Sequence, residues 1–261
     1  KPVDVAERIK SVFQAVYGFG DQQASAIYRA TRPGLEKYGD TMNLRHLQSQ
    51  LRDIASEIPN AKTVLSKIEP LVDREPFDNT NTQDWARIHE SNGSILIVQL
   101  SGFTRDVQLL ITEIILWDAW YYNVKHGRKD LPFPVILDEA QNLDHGDRSP
   151  STMILTEGRK FGWSGWFATQ FMKGQLRPDE IQRLQQASQK VYFNPPEAEI
   201  PDIATAIEPD KERRPEWYSK LSQLRKGECV VVGYELRGGK LRKCPPRIVS
   251  VSSMSERIVQ P

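Results

Sequence analysis

Two adjacent acidic residues, Asp138 and Glu139, have the types and spacing best suited to chemistry in this sequence. They follow Phe133–Leu137, a short apolar run that predicts a buried strand. The first carboxylate can hold the hydration shell of a Mg²⁺ ion, and the second can orient or deprotonate an attacking water. Open α/β sheets bind their ligands at the carboxyl ends of strands, where this pair is expected. The alternative is a strand that simply ends at a solvated Asp-Glu pair.

Two further polar residues follow the acid pair in order. Arg159 lies in the segment Glu157–Gly162, which the pattern assigns to the helix after the acids, and an arginine there can supply charge to a transition state. Gln170 ends the next apolar run, where an amide can sense a γ-phosphate or its attacking water. Singly, Arg159 also fits a solvated helix residue and Gln170 a strand-end cap. Their order behind the acids favours a nucleotide-hydrolysing site.

A parallel sheet is needed to bring these residues together. From Gly93 onward, short apolar runs alternate with helical patterns, including a helix predicted over Asp106–His126, which indicates an α/β sheet with right-handed crossovers. A Gly238-Gly239 hairpin turn is expected in a short β tail. The predicted strands are Ser94–Leu100, Phe133–Leu137, Gly165–Ala168, Lys190–Phe193 and Glu228–Val232.

The first ~75 residues have the apolar spacing of helices rather than strands. The second of these helices is predicted to take Asp21 as its N-cap and to end at a Pro33-Gly34 turn. The stretch Asp73–Ser94 is rich in polar and turn-forming residues and is expected to be a connector. The chain therefore divides into a helical segment with its connector over residues 1–91 and an α/β core over residues 92–261. Helical faces are predicted at Val5, Ile9, Val12, Phe13 and Val16, at Leu44, Leu47, Leu51 and Ile54, and over Ala61–Val72.

Composition excludes several classes of protein. The 261 residues include 35 Lys and Arg against 34 Asp and Glu, and the resulting net charge of +1 excludes a histone-like polybasic binder. Two cysteines are too few for a disulfide framework and fit a reducing, cytoplasmic compartment. No apolar run approaches the roughly 18 residues needed to span a bilayer, so no membrane partner is expected.

One region departs from this neutral balance. Residues 207–247 carry eleven Lys and Arg against six Asp and Glu, a net charge of +5. Such a segment fits a phosphate-facing rim, ion pairs to neighbouring subunits or an ordinary solvated face.

The motifs together resemble the HerA/FtsK superfamily of P-loop ATPases, which pump DNA or protein through hexameric rings. The HerA branch fits better than FtsK or the coupling proteins of conjugation, and the subgroup indicated is the DptH-type ATPase of phosphorothioate-dependent DNA restriction. The resemblance covers about residues 15–255. The matching segments are Val135–Gln141, Glu157–Gly162 and Ala168–Gln170, with weaker matches at Phe19–Gln23, Ser94–Ser101 and Leu224–Gly233.

This resemblance implies a role for each candidate residue. Asp138 would be the Mg²⁺-side acid of a Walker B strand and Glu139 the carboxylate that activates water. Arg159 would be an arginine finger acting in trans, Gln170 the sensor, and Thr169 a nucleotide contact beside it. The implied cofactors are ATP and Mg²⁺. The implied partners are double-stranded DNA, further copies in a hexameric ring, and a nuclease or restriction subunit.

The phosphate-binding loop of that superfamily is missing from the sequence. No G-x-x-x-x-G-K-[S/T] occurs, and the only Gly-Lys pair, Gly239-Lys240, continues with Leu241. Since the superfamily places that loop upstream, the chain is expected to be the C-terminal part of a motor and to be inactive alone. The alternative is a pseudo-ATPase that has lost the loop.

These observations leave three hypotheses about function. The first is an ATPase that moves along or unwinds DNA in a prokaryotic restriction, defence or end-processing complex. The second is a non-catalytic RecA-like scaffold that assembles such a complex. A coupling protein of type IV secretion is the third, and the lack of an apolar span disfavours it.

Other residue clusters are weaker candidates. The four histidines show no spacing that would suit zinc. Asp144, His145 and Asp147 could join Asp138 in a nuclease metal site, but a solvated loop is the simpler interpretation. The aromatic residues of the long helix fit packing better than base stacking, and Lys173 and Arg177 after the sensor strand fit either DNA contact or a solvated loop.

Overall fold

A computed structural model describes residues 1–77, 85–90, 95–147 and 149–253 of the chain. It divides into a first unit, Lys1–Val135 with Asn142–Gly165, and a second unit, Ile136–Gln141 with Trp166–Pro261. The helices are α1 (Pro2–Tyr17), α2 (Asp21–Tyr38), α3 (Leu44–Ile54), α4 (Asn60–Arg74), α5 (Trp85–Glu90), α6 (Arg105–His126), α7 (Pro150–Glu157), α8 (Pro178–Leu184), α9 (Ile200–Ile207) and α10 (Arg214–Ser222). The strands are β1 (Phe133–Leu137), β2 (Trp163–Phe167), β3 (Lys190–Tyr192), β4 (Glu228–Arg237) and β5 (Lys240–Ser250).

A helical bundle forms the core of the first unit. Helices α1 to α4 and the start of α6 bury their apolar faces against one another, which confirms the helical spacing in the first part of the chain. The bundle core includes Phe13, Ile27, Leu51, Ile68 and Leu110, all of which are shielded from water.

Two expectations for α2 are wrong. Its N-cap is Gly20 rather than Asp21, because the Gln23 side chain turns back to accept the Gly20 N–H at 3.0 Å. The predicted Pro33-Gly34 turn lies inside the helix, which continues to Tyr38. The end of the flexible Met42 side chain packs against Gly34, since a Cβ there would lie 2.5 Å from the Cε of Met42.

The strand predicted over Ser94–Leu100 is also wrong. Ser94 lies outside the described residues, and residues 95–100 have no regular structure. Ile95 and Ile97 are 86% and 80% exposed, and none of the described strands pairs with this run. A strand forms its hydrogen bonds with a neighbouring strand, so an apolar run without one does not become a strand.

The fold is mixed α/β, as predicted, with one parallel and one antiparallel sheet. Strands β1 and β2 pair in parallel, and β1 spans the predicted residues Phe133–Leu137. The strand predicted over Gly165–Ala168 begins two residues earlier, at Trp163.

The two connections that lead into β1 and β2 pass so close to each other that glycine is required at two positions. A Cβ on Gly127 would lie 1.8 Å from the Phe161 carbonyl oxygen, and one on Gly162 would lie 2.4 Å from the Arg128 carbonyl oxygen. Gly162 also has φ +76°, a conformation that favours glycine. The Phe133 N–H then donates to the Gly162 carbonyl at 2.7 Å, which sets where the two strands start.

The second unit has an antiparallel sheet of order β3-β4-β5, covered by α9 and α10. Its core includes Ile203, Trp217, Leu221 and Val230, which are buried between the two helices and β4. The predicted hairpin at Gly238-Gly239 is confirmed, because β4 and β5 pair on either side of it. Among the described residues, no helix combines the length and apolar content needed to cross a bilayer.

Candidate active site

The candidate site lies where β1 and β2 end side by side in the second unit. The Ala168 N–H donates to the Leu137 carbonyl at 2.9 Å, and the Ala140 N–H donates to the Ala168 carbonyl at 2.8 Å. These two bonds extend the parallel pairing past the last strand residues. They bring the acid pair after β1 beside Thr169 and Gln170 after β2.

Glu139 sits in an unusual backbone conformation at this point. Its φ of +51° lies in the left-handed region, which residues with a side chain seldom adopt. Strained residues of this kind persist where the surroundings over-determine them, and they cluster at functional sites. The strained turn directs the chain from β1 into a short 3-10 turn, Ala140–Asn142.

Two glutamine side chains hold the Glu139 carboxylate. Gln170 donates through its Nε2 to Oε1 of Glu139, and Gln141 donates through its Nε2 to Oε2. Each carboxylate oxygen therefore has one amide donor, and the orientation of the group is set from both sides. We call this arrangement the glutamine clasp: Glu139 with Gln141 and Gln170.

Gln141 is the member of the clasp to which the sequence assigned no role. Its side chain is only 8% exposed, and its Oε1 is buried without a hydrogen-bond partner among the described residues. Burying an amide oxygen without a hydrogen-bond partner costs free energy. The hydrogen bond that the amide nitrogen of Gln141 donates to Glu139 is the interaction that this buried side chain makes. Its position two residues after Glu139, close behind the end of the strand, is the signal that could have identified it.

The acid pair keeps its negative charge uncompensated. Asp138 is exposed, and its Oδ1 accepts the Glu139 N–H at 3.0 Å. Within the described ranges no Lys, Arg or His forms an ion pair with either carboxylate, and the clasp contributes neutral amide donors only. Hard oxygen ligands with unpaired negative charge suit Mg²⁺, so the residues fit a magnesium ion held through water at Asp138.

Thr169 and Arg159 are the remaining predicted site residues, and neither takes part in the clasp. Thr169 is exposed and its hydroxyl donates to the Phe171 carbonyl at 3.0 Å, so it is engaged in local structure. Arg159 belongs to the first unit. It lies in a 3-10 turn, Gly158–Phe161, just past the end of α7 rather than on the helix, and its side chain is exposed.

The loop after the acid pair is anchored by a buried polar cluster in the first unit, so the predicted solvated loop is wrong for His145 but holds for Asp147, which is exposed. His145 is fully buried, and its Nδ1 lies 2.9 Å from the Ser151 hydroxyl. Ser149 caps α7 by accepting the Thr152 N–H at 3.3 Å. No group of three or more His, Cys, Asp or Glu that could hold a metal occurs among the residues that the structure describes.

Glu113, on the buried face of α6, binds this loop through a hydrogen bond to its backbone. Its Oε1 accepts the Asp144 N–H at 2.9 Å, and the side chain is 2% exposed. Burial raises the pKa of Glu113 to about 8, and the nearby Asp144 carboxylate adds to the rise while the backbone hydrogen bond opposes it. The spacing Leu110, Glu113, Leu116 places this acid in the buried stripe of the helix, which is the signal that could have revealed it.

Comparison with known proteins identifies the fold. No protein-family model matches the sequence, and no curated protein matches it. The solved structure of VirB4 of Thermoanaerobacter pseudethanolicus resembles the chain with a TM-score of 0.60 at 14% sequence identity. The match covers 97% of this chain and 69% of that one. The chain thus shares a RecA-type α/β fold with VirB4.

Proposed function

We propose that the chain carries the water-activating half of a P-loop ATPase of the HerA/FtsK superfamily. The observation on which the proposal rests is the glutamine clasp, which holds the carboxyl group of Glu139 at the end of a parallel strand, next to the carboxyl group of Asp138. The fold shared with VirB4, itself a P-loop ATPase of that superfamily, supports the assignment at the level of fold. The sequence resemblance supports the HerA branch, and within it the DptH type.

Each residue of the candidate site has a separate task in this proposal. Glu139 orients the attacking water and accepts its proton, and the clasp holds the carboxylate in the required direction. Gln170, exposed at the tip of β2, can keep its bond to Glu139 and donate its second amide N–H to a γ-phosphate oxygen. Thr169 lies next to it and lines the nucleotide side.

Asp138 is the residue that would hold Mg²⁺ through water. The ion supplies positive charge at the β- and γ-phosphates when it is bound. The glycines and lysine of a phosphate loop do not occur in these 261 residues. We propose that this loop lies elsewhere in the full-length protein, and that the 261-residue chain alone does not hydrolyse ATP.

The full-length protein would couple hydrolysis to movement along, or unwinding of, double-stranded DNA. We propose a homo-hexameric ring in the cytoplasm that works with a nuclease or restriction subunit. The exposed guanidinium of Arg159 would complete the site of a neighbouring copy. A fork of donors that can bridge two phosphate oxygens suits arginine for this task better than lysine.

Mixing two inactive variants of the full-length protein tests this proposal. Glu139→Gln removes the basic carboxylate, and Arg159→Ala removes the finger, whose loss typically costs about 10³- to 10⁵-fold in rate. Each alone should abolish hydrolysis while nucleotide binding persists. In mixed rings, some interfaces pair an intact Glu139 with an intact Arg159 from the next subunit, so part of the activity should return.

Lys160→Ala is the matched control, because Lys160 neighbours Arg159 and is exposed but forms an ion pair with Glu157 at 3.3 Å. It should retain the parental rate. Mixed rings that are confirmed by mass measurement and stay inactive would rule out a finger in trans. Parental turnover by Glu139→Gln would overturn the assignment of the acid pair and favour a non-catalytic scaffold.

A further inference from the structure

The distal part of the β4–β5 hairpin is a two-stranded ribbon that extends beyond the rest of its sheet. Strand β3 pairs only with Val230–Val232 of β4, whereas the hairpin pairing continues to Arg237 and Lys240. Gln189 ties the base of the ribbon at Tyr234 through two hydrogen bonds of 2.7 and 3.1 Å. We call residues 234–243 the ribbon.

The ribbon is closed by a turn that fits a protruding hairpin. Gly238 and Gly239 both have positive φ, +58° and +75°, as a type I′ turn requires. Three residues of each strand, Glu235–Arg237 and Lys240–Arg242, lie past the Gln189 tie, which is about 10 Å of ribbon at the usual rise per residue.

One face of the ribbon carries three of its four cations, and the other carries the two leucines with Tyr234 and Lys243. Directly paired residues share a face, and faces alternate along each strand. Arg237, Lys240 and Arg242 therefore lie on one face together with Glu235. Leu236 and Leu241 form a cross-strand pair on the other face, and they are 73% and 68% exposed.

The positive charge of the ribbon is not neutralised within the described chain. Residues 234–247 contain five Lys and Arg but a single acid, Glu235. That acid is occupied, because Arg247 donates to it at 2.7 Å. Hydrogen bonds from Cys244 and then Arg247 lower the pKa of Glu235, so it stays ionised and paired.

The base of the ribbon has the same positive character. Burial, and then the neighbouring Lys243 ammonium, lower the pKa of Lys190. Lys190 of β3 and Lys243 of β5 flank β4 on its two sides at the position where the ribbon leaves the sheet. Cations on both sides of the base add to the attraction of the ribbon for an anion.

We propose that the ribbon binds double-stranded DNA, with its cations on the phosphates and its leucine pair against the bases. This inference deepens the proposed function, because it names the surface that meets the duplex. A two-stranded ribbon fits the major groove, which is about 12 Å wide and about 8.5 Å deep, and apolar side chains there can contact the methyl groups of thymine. Duplex DNA thereby uses both faces of the ribbon.

The test measures binding of the 261-residue chain to a fluorescent duplex without nucleotide, so a failure of ATP hydrolysis would not affect it. Affinity is followed by anisotropy between about 50 and 200 mM salt, where each phosphate contact contributes about 0.9 to the slope of log affinity against log salt. Arg237→Gln with Lys240→Gln should lower affinity and reduce the slope by about 1.8.

Matched controls distinguish DNA binding by the ribbon from nonspecific attraction of DNA to other cations of the unit. Lys211→Gln with Lys226→Gln removes two exposed cations of the same unit outside the ribbon, and both affinity and slope should be retained. Leu236→Ser with Leu241→Ser should weaken binding about tenfold with an unchanged slope, since no phosphate contact is lost. Circular dichroism checks that each variant is folded.

Three outcomes would overturn the proposal. In the first, the parental chain does not bind the duplex at low salt. In the second, the ribbon variants and the control variants behave alike. In the third, the chain binds vesicles that contain phosphatidylserine through the same ribbon residues and does not bind DNA, which would assign the ribbon to a lipid surface instead.

Discussion

Replacing Glu113 by glutamine should stabilise the first unit, and increasingly so as the pH rises. Glutamine keeps the size of the side chain and an oxygen that accepts the Asp144 N–H. It removes the ionisable group, whose pKa rises from 4.5 to about 8 on burial. The native protein therefore keeps a proton on Glu113 across a pH range in which the unfolded chain releases it.

The direction and size of the effect follow from proton linkage. Between pH 4.5 and about 8 the folded form binds more protons at this position, so the free energy of unfolding of the parental chain falls as the pH rises. The slope is about 1.4 kcal/mol per pH unit. Across two pH units, the advantage of Glu113→Gln over the parental chain should therefore grow by about 3 kcal/mol.

Urea denaturation at pH 5.5, 6.5 and 7.5 measures this advantage directly. With a slope of about 2 kcal/mol per molar urea, the midpoint difference between variant and parent should widen by about 1.4 M across the series. Glu57→Gln changes an exposed carboxylate of the same unit and should leave the pH dependence as it is. A midpoint difference that stays constant with pH would refute the raised pKa and the reasoning from burial.

Two further substitutions test the fold and the clasp. Gly127→Ala places a Cβ 1.8 Å from the Phe161 carbonyl oxygen and should cost about 3 kcal/mol or more by chemical denaturation, whereas Gly20→Ala, with nothing nearer than 3.8 Å, should cost less than about 1 kcal/mol. Gln141→Met removes one donor from Glu139 and should slow hydrolysis by the full-length protein about 10- to 100-fold with nucleotide binding retained. Equal losses for the two glycine variants, or an unchanged rate for Gln141→Met, would contradict these two arguments.

Local signals predicted much of the fold correctly. The run Phe133–Leu137 is bounded by Pro132 and by the acid pair, so the limits of β1 could be read from the sequence. The leucine spacing of α3 and the length of α6 likewise left little freedom. In each case the residues that decide the structure lie within the element itself.

The errors arise where distant residues decide the structure. Gly34 lies inside α2, where the Met42 side chain packs against it, and nothing in the Pro-Gly pair reveals that contact. The run Ile95–Leu100 has the composition of a strand, but a strand also needs a partner. The positions of Asp138, Glu139 and Gln170 at strand ends could be predicted, whereas the contact of Gln141 with Glu139 depends on a turn at positive φ.

The run Ile95–Leu100, which is exposed up to Gln99, also has a consequence for the colloidal behaviour of the chain. It is six residues long, uncharged, free of proline and rich in β-branched side chains, which is the composition of segments that template intermolecular β-pairing. Because this run is already exposed, self-association does not require either unit to unfold. The storage lifetime of a solution of the chain therefore depends on its concentration and on these six residues, independently of the free energies that hold the two units folded.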